Sequence, residues 1–448
     1  MKLSELNLFS SQQIRRLLIP LIFEQFMIVL VGLVDTMLLS HVSESALSAF
    51  SLVDNLNLLL MQVFMAVGAG GSIIAAQYIG KRDRKGAGGA ANQTAIMVVA
   101  ISLFISAIAI IFNQGILRFV YPAVSPTIMG YSRQYFLLCA LSYPAYALYN
   151  GGIGLLYAQG LSKLSMATSV VMNVAKIGLN YVFINVFHMG VQGAGLATIV
   201  SRLIGAVMVV LFLRDPHIPI HFSRPFVIRF DKNIDRRILT VALPSGLENI
   251  FFLTSKVIVA IIIAGYSSTM IAVNAAAHTI STYISIPANA INLATITIVS
   301  QCVGAGRTQE AKDAARRLLL LTTASLVVMG LLVLLFIDPI VGMMRLSQEA
   351  TAITKEIIII YCFVSFVLWA PAFGLPNSLR AAGDNRFVMY AASFTVVVFR
   401  VAFSYILGTL FGLQVRGIWY AMYLDWIGRG VLFVWRFKSD KWLKHHLV

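Results

Sequence analysis

The stretch PLIFEQFMIVLVGLVDTMLLSH (20–41) decides the fold class. It is apolar and long enough to cross a bilayer, which takes about 20 residues of helix. Yet Glu24 and Asp35 lie inside it. An ionised carboxylate at a bilayer centre costs on the order of 3 kcal/mol even on lenient scales. Acids persist there where they face a bundle interior or a water-filled cavity, which makes both of them candidates for function.

The whole chain reads as a protein that uses lipid as solvent. Of its 448 residues 59% are hydrophobic and 12% charged, with mean hydropathy +0.84; a soluble domain carries about 25% charged residues. The first apolar run is too long for a signal-peptide core and lacks a small-residue cleavage site, so a retained helix is expected. Cys139, Cys302 and Cys362 fall in apolar runs and read as small core residues, not disulfides or metal ligands. The net charge of +16 sits in short segments between apolar runs. That is the pattern of cytoplasmic loops and argues against nucleic acid.

Continuous apolar runs predict twelve spanning helices, near 17–40, 47–79, 91–112, 133–158, 164–187, 191–213, 238–264, 271–303, 317–337, 356–380, 387–410 and 415–437. Two exceed one bilayer thickness and must tilt, bend or project into water. KRDRK (81–85), the segment 214–237, the stretch 307–317 and the tail fall on one side, with 24 Lys and Arg against five on the other. Both termini are therefore expected in the cytoplasm of a multi-pass cell-membrane protein. The expected organisation is a six-helix lobe over 1–213, a cytoplasmic linker over 214–237, a second six-helix lobe over 238–437 and a tail over 438–448.

The halves repeat. At an offset of 224, Pro20 matches Pro244, Glu24 matches Glu248, Gln77 matches Gln301 and Gly80 matches Gly304. With a slip of one or two residues, Cys139 matches Cys362, Gly160 matches Gly383, Met166 matches Met389 and Gly190 matches Gly412. Six helices per half return the chain to the same side, so the repeat is parallel, about an axis along the membrane normal.

Glu24 and Asp35 are 11 residues apart, which puts them on one helix face about 16 Å apart. They cannot share a proton and belong to two sites at different depths. Pro20, one turn before Glu24, gives the helix a place to bend. Lys176, Arg202, Lys256, Arg400 and Arg429 lie within spans and could satisfy such acids. Asp54 and His278, also repeat mates, sit near span ends and read as solvated or structural. There is no P-loop. The pair His445–His446 lacks metal-site partners. GAGG (68–71) reads as a helix-packing element. Nothing forms a clustered catalytic set or an appended soluble domain, so neither an enzyme nor a receptor is expected.

Pro20 with GLVDT (32–36), QYIGKRD (77–83), QGLSKLSM (159–166), LNYVFI (179–184), GVQGAGLAT (190–198), PSGLE (244–248), QCVGAGR (301–307) and LRAAGDNRF (379–387) resemble the MATE family of multidrug and toxic compound extrusion antiporters. The resemblance covers nearly the whole chain. It implies an all-α integral membrane fold of twelve helices in two six-helix lobes related by a pseudo-twofold axis, with a V-shaped cleft. It also implies export of organic cations and other amphipathic compounds, driven by inward H⁺ or Na⁺, with no cofactor. A monomer working in membrane lipid is expected. By the resemblance, Asp35 carries ions or protons together with positions 176, 180 and 198. Asn180 and Thr198 fit the family pattern; Lys176 stands where an Asn is usual, which favours H⁺ over Na⁺. The acid that some members use on the tenth helix is absent from VLWAPAFGL (367–375). Substrate-cleft candidates are Glu24, Glu248, Met27, Met61, Tyr146, Phe252, Lys256, Tyr283 and Trp369, since flexible Met and aromatic surfaces suit varied ligands. The rival reading is a lipid-linked precursor flippase of the wider superfamily, kept open by the cations at 176, 202, 256 and 400.

Overall fold

The computed structural model describes residues 11–40, 42–222, 230–445 and 447–448. The first ten residues, His41, the middle of the expected linker (223–229) and His446 lie outside the described residues. The chain is helical almost throughout, with α1 (Ser11–Ser40), α2 (Glu44–Gly80), α3 (Arg84–Ile111), α4 (Pro126–Leu141 and Tyr143–Ala158), α5 (Ser162–Val186) and α6 (Gly190–Leu213). There follow α7 (Lys232–Ala264), α8 (Ser268–Gly304), α9 (Thr308–Leu335), α10 (Gln348–Ala381), α11 (Asn385–Leu410) and α12 (Gln414–Lys438).

Ten of these are long and apolar enough to cross a membrane. The other two fall short for visible reasons. α4 is broken at Ser142 into two helices of 16 residues each. α12 carries Asp425 and Arg429 in its middle, besides Arg416, Arg436 and Lys438. Prolines inside apolar helices free the carbonyl four residues back, and in lipid that carbonyl needs another donor. Ser106 Oγ donates to Ala140 O, freed by Pro144, at 2.7 Å; Ser162 Oγ approaches Arg16 O, freed by Pro20, at 3.4 Å.

The helices divide into two units, Ser11–Gly246 and Leu247–Leu447. The division falls inside α7, whereas the sequence puts the start of the second lobe at 238. In the first unit α2 is the central helix, and small residues let its neighbours approach closely. A Cβ added at Gly71 would lie 2.0 Å from Thr94 Oγ1 of α3, and one at Gly152 of α4 would lie 1.9 Å from Val209 Cγ1 of α6. GAGG is thus a packing element in the structure. In the second unit α8 has the central role, beside an aromatic core in which Tyr361 meets Trp419 and Trp426 edge-on at 5.9 and 5.7 Å.

The repeat is visible in the backbone. α2 and α8 keep the offset of the Pro-x-x-x-Glu pairs at both of their ends, and so do α3 and α9. Left-handed residues recur at the same offset: Arg82 with Gly306, His188 with Gly412, Gly190 with Gln414. The sequence pairing of Gly190 with Gly412 is therefore two positions out of register. A glycine in either half stood for the φ > 0 position, but not at the same one of two neighbouring positions. Gly160 and Gly383, both at positive φ, fall one position short of that offset. A widened, π-type turn over Val396–Ala402 in α11 has no counterpart in the regular Ser162–Tyr181 helix. Such a turn holds one extra residue, which restores the offset.

Candidate functional site

Asp35 is buried on α1. Lys176 and Asn180 of α5 are four residues apart and share one helix face. Lys176 Nζ lies 2.5 Å from Asp35 Oδ2, and Asn180 Nδ2 donates to Oδ1 at 2.6 Å. Both carboxylate oxygens are thus held by one helix. Asn180 Oδ1 is buried without a hydrogen-bond partner, leaving an acceptor beside the ion pair. Thr198 is not part of this bonding: its hydroxyl donates to Ala194 O on its own helix at 2.9 Å. Asp54 lies within electrostatic reach of Lys176, Arg202 and Asp35, so two cations face two acids.

Arg202 of α6 gathers two of the expected cleft residues. Its guanidinium lies 4.6 Å from the Tyr146 ring centre and 3.8 Å from Met61 Sδ, and donates to Ser142 Oγ at 2.6 Å. Met27 and Tyr283 are half-buried on α1 and α8.

The repeat mates Glu24 and Glu248 have different surroundings. Glu24 is buried and accepts from Ser165 Oγ at 3.0 Å and Ser169 Oγ at 2.5 Å, with the Tyr157 hydroxyl also bonded to it. Tyr149 shares a hydrogen bond with Ser169 at 2.6 Å. Glu248 instead receives Arg380 Nη2 at 2.7 Å on both oxygens, while Arg380 Nη1 donates to Asn377 Oδ1 at 2.9 Å. Tyr157 and Arg380 are themselves repeat mates, in the register that pairs Gly160 with Gly383. One geometry therefore serves a hydroxyl cage in one half and an ion pair in the other.

The second unit carries a half-open cavity of about 590 Å³ whose lining includes Lys256, His278, Trp369, Phe373, Arg400 and Trp426. Lys256 and Trp369, both expected at the substrate cleft, meet here, together with Phe252. Sequence reasoning named Arg400 and Arg429 as cations that could satisfy intramembrane acids, counted Arg400 towards the flippase reading, and passed over Asp425. Asp425 is fully buried on α12, 3.0 Å from Arg429 Nε and 3.7 Å from Arg400 Nη1. Its spacing of four residues from Arg429 inside an apolar span was the available signal. Among the described residues no group of three or more His, Cys, Asp and Glu side chains could hold a metal ion.

The MatE family model matches the chain twice, over residues 20–182 and 244–406, so the two matches are related by the same offset as the motifs. The chain belongs to the MatE family. This MatE chain is 24% identical to an uncharacterized transporter, YisQ, of Bacillus subtilis, over 95% of its length and 93% of that protein. It is also 24% identical to a probable multidrug resistance protein, NorM, of Thermotoga maritima, over 98% and 94%. In structure it resembles an outward-facing multidrug resistance MATE family transporter of the MOP superfamily, with TM-score 0.88, 20% identity and coverage of 97% and 96%. A MOP superfamily transporter from Pyrococcus furiosus, described by the reverse polarity of its binding pocket, gives TM-score 0.89 at 20% identity over 97% and 96%. These likenesses bear on the fold: the all-α membrane architecture of twelve helices in two lobes that the motifs implied.

Proposed function

We propose that this chain is an H⁺-coupled antiporter that exports amphipathic small molecules by alternating access. The observation that carries the reading is the Asp35–Lys176–Asn180 group. A lysine ammonium occupies the place beside the carboxylate that a Na⁺ ion would otherwise take. A proton arriving on Asp35 removes the charge that holds Lys176, and Asp54 offers the released ammonium a second carboxylate. Proton binding can thereby bias one access state, with substrate favouring the other. The relatives' names point the same way for export: NorM of Thermotoga maritima is a probable multidrug resistance protein, and a relative in Oryctolagus cuniculus is multidrug and toxin extrusion protein 1. Organic cations are the substrate class the family resemblance implies. We place the lobes, linker and tail where the sequence does, both termini in the cytoplasm, and the working unit as a monomer.

The test is transport in proteoliposomes. Uptake or efflux of a fluorescent drug should follow an imposed pH gradient without Na⁺ and collapse with a proton uncoupler. Transport that needs a Na⁺ gradient and ignores the uncoupler would refute H⁺ coupling. The second reading, a lipid-linked precursor flippase, is favoured by the cations at 256, 400 and 429 in one unit. Drug protection in a pump-deficient host separates it from the first.

A further inference from the structure

Three cations crowd one ring in the second unit. Around Phe252 lie Lys256 Nζ at 5.2 Å, Arg400 Cζ at 5.1 Å and Arg429 Cζ at 5.7 Å from the ring centre. Among the described residues one carboxylate answers them, Asp425, shared between Arg429 and Arg400. Lys256 has no carboxylate partner among the described residues. The unit's other well-buried acids are held elsewhere, Glu248 by Arg380 and Asp384 by Arg436. Three positive charges against one negative leave an excess of two beside a cavity inside the membrane span. Cation–π contacts support each cation but neutralise none. Like charges this close in a low-dielectric wall repel, and a counter-anion relieves that repulsion.

The groups here that are buried without a hydrogen-bond partner include both donors and acceptors. Trp426 Nε1, Arg429 Nη2 and the Ser404 hydroxyl can donate, while Asn292 Oδ1 and Asp425 Oδ2 can only accept; Trp426, Ser404 and Asn292 line the cavity. Buried polar groups are normally paired, and N–H donors beside surplus cations call for a charged acceptor. The remaining wall is apolar and flat, from Trp369, Phe373, Trp419 and Met422, and a volume of about 590 Å³ suits a drug-sized body.

We propose that this cavity binds an amphipathic organic anion. Its sulfonate, carboxylate or phosphate group sits on Lys256 and Arg400, and its apolar body lies along the tryptophans. The assignment deepens the exporter reading and rests on it only for transport, since binding at equilibrium needs no ion gradient. It sets the substrate charge opposite to the organic cations implied by the resemblance.

The experiment measures equilibrium binding of tritiated estrone-3-sulfate to the full chain, purified in an uncharged detergent and checked for monodispersity. Tetraphenylphosphonium serves as the cationic competitor and dioctanoyl phosphatidic acid as the lipid-phosphate competitor. Saturable sulfate binding is expected, weakened about tenfold by Lys256→Gln, which removes one charge-assisted contact. Lys256→Met is the second neutral variant should the glutamine form fold poorly. Lys256→Glu should abolish anion binding and admit tetraphenylphosphonium. Asp35→Asn should retain saturable sulfate binding that still depends on Lys256, whatever its effect on transport, so failure of the proton-coupling reading and failure of this site are told apart. Displacement by phosphatidic acid would make a lipid headgroup an occupant, and its absence would leave the free organic anion; both outcomes support the site. Equal sulfate binding by wild type and the Lys256 variants, no saturable binding by monodisperse wild type, or displacement by tetraphenylphosphonium would overturn it.

Discussion

Lys176 and Arg400 stand 224 positions apart, the offset of the Pro-x-x-x-Glu pairs, and each faces a carboxylate from a different helix. Lys176 holds Asp35 of α1 at 2.5 Å; Arg400 faces Asp425 of α12 at 3.7 Å. The repeat kept the cation on the fifth helix of each half and moved its acid. In the first unit Lys176 and Arg202 meet Asp35 and Asp54, an even balance. In the second, Lys256, Arg400 and Arg429 gather at Phe252. Among the described residues Asp425 pairs with Arg400 and Arg429, while Lys256 has no carboxylate partner. The two units thus differ in charge balance, even in the first and with more cations than acids around Phe252 in the second, among the described residues.

If Asp35 is the coupling acid, Asp35→Asn should fold, at a cost of about 2 kcal/mol for leaving Lys176 without its carboxylate, but lose concentrative export. The amide keeps the shape and can still bond Asn180, but it cannot titrate. Drug accumulation in a pump-deficient host, at matched expression, checks this. Full export by the variant would remove Asp35 from the coupling role.

Glu24 and Glu248 should respond differently to the same change. Glu248→Gln leaves Arg380 without its carboxylate; breaking a buried pair costs about 3–5 kcal/mol, and the partial exposure of Arg380 reduces this to about 2 kcal/mol. Glu24 faces hydroxyls and no cation among the described residues, so Glu24→Gln should cost about 1 kcal/mol or less. Thermal unfolding in detergent measures both. Equal losses would mean that the Glu248–Arg380 pair contributes nothing.

Packing supplies another prediction. A Cβ at Gly152 would overlap Val209, whereas one at Gly115 meets nothing within 4 Å. Gly152→Ala should therefore destabilise by about 1–3 kcal/mol through overpacking. Gly115→Ala, in the short helix Asn113–Val120, should be neutral or stabilise by up to about 1 kcal/mol. The order of the two melting temperatures decides.

Much of this architecture was legible in the sequence, because lipid imposes length and composition on every span. The Pro-x-x-x-Glu pairs at Pro20 and Pro244 exposed the repeat. Lys176 and Asn180 could be grouped by their spacing of four, and the family resemblance joined them to Asp35. Other features depend on which helices meet, and periodicity within one helix does not carry that. Asp425 sits on a span whose neighbours only the fold reveals. The Ser165–Ser169 cage around Glu24 joins α5 to α1 across 141 and 145 residues. The repeat register slipped at Gly190 because the extra residue in α11 leaves no mark in composition and because each half puts its glycine at a different one of two φ > 0 positions.

Orientation can be read from the loops by thiol access. The native cysteines are buried and unbridged, so a cysteine-free background is a modest change. Ser43 caps α2 through Ala46 N at 3.0 Å, which makes exposed Val42 the better probe of that end. A cysteine at Val42 should react with an impermeant reagent in intact cells, and one at Lys232 only after permeabilisation. Reaction of both from outside would overturn the cytoplasmic placement of the 214–237 segment.

The identity of the coupling ion turns on Lys176. At an effective dielectric of about 20, two unit charges 4 Å apart interact by roughly 4 kcal/mol, enough to keep Na⁺ away from a carboxylate already holding an ammonium. Lys176→Asn removes that charge and leaves Asp35 with two amide side chains on one face of α5, an all-oxygen set of acceptors once the amides turn. Hard cations take oxygen ligands. The variant should therefore lose transport driven by a pH gradient and gain a dependence on Na⁺. Proteoliposomes under separate pH and Na⁺ gradients measure both. Wild type should respond to the first gradient alone. A variant that keeps full pH-driven transport would show that Lys176 takes no part in coupling, and that its contact with Asp35 only neutralises a buried acid.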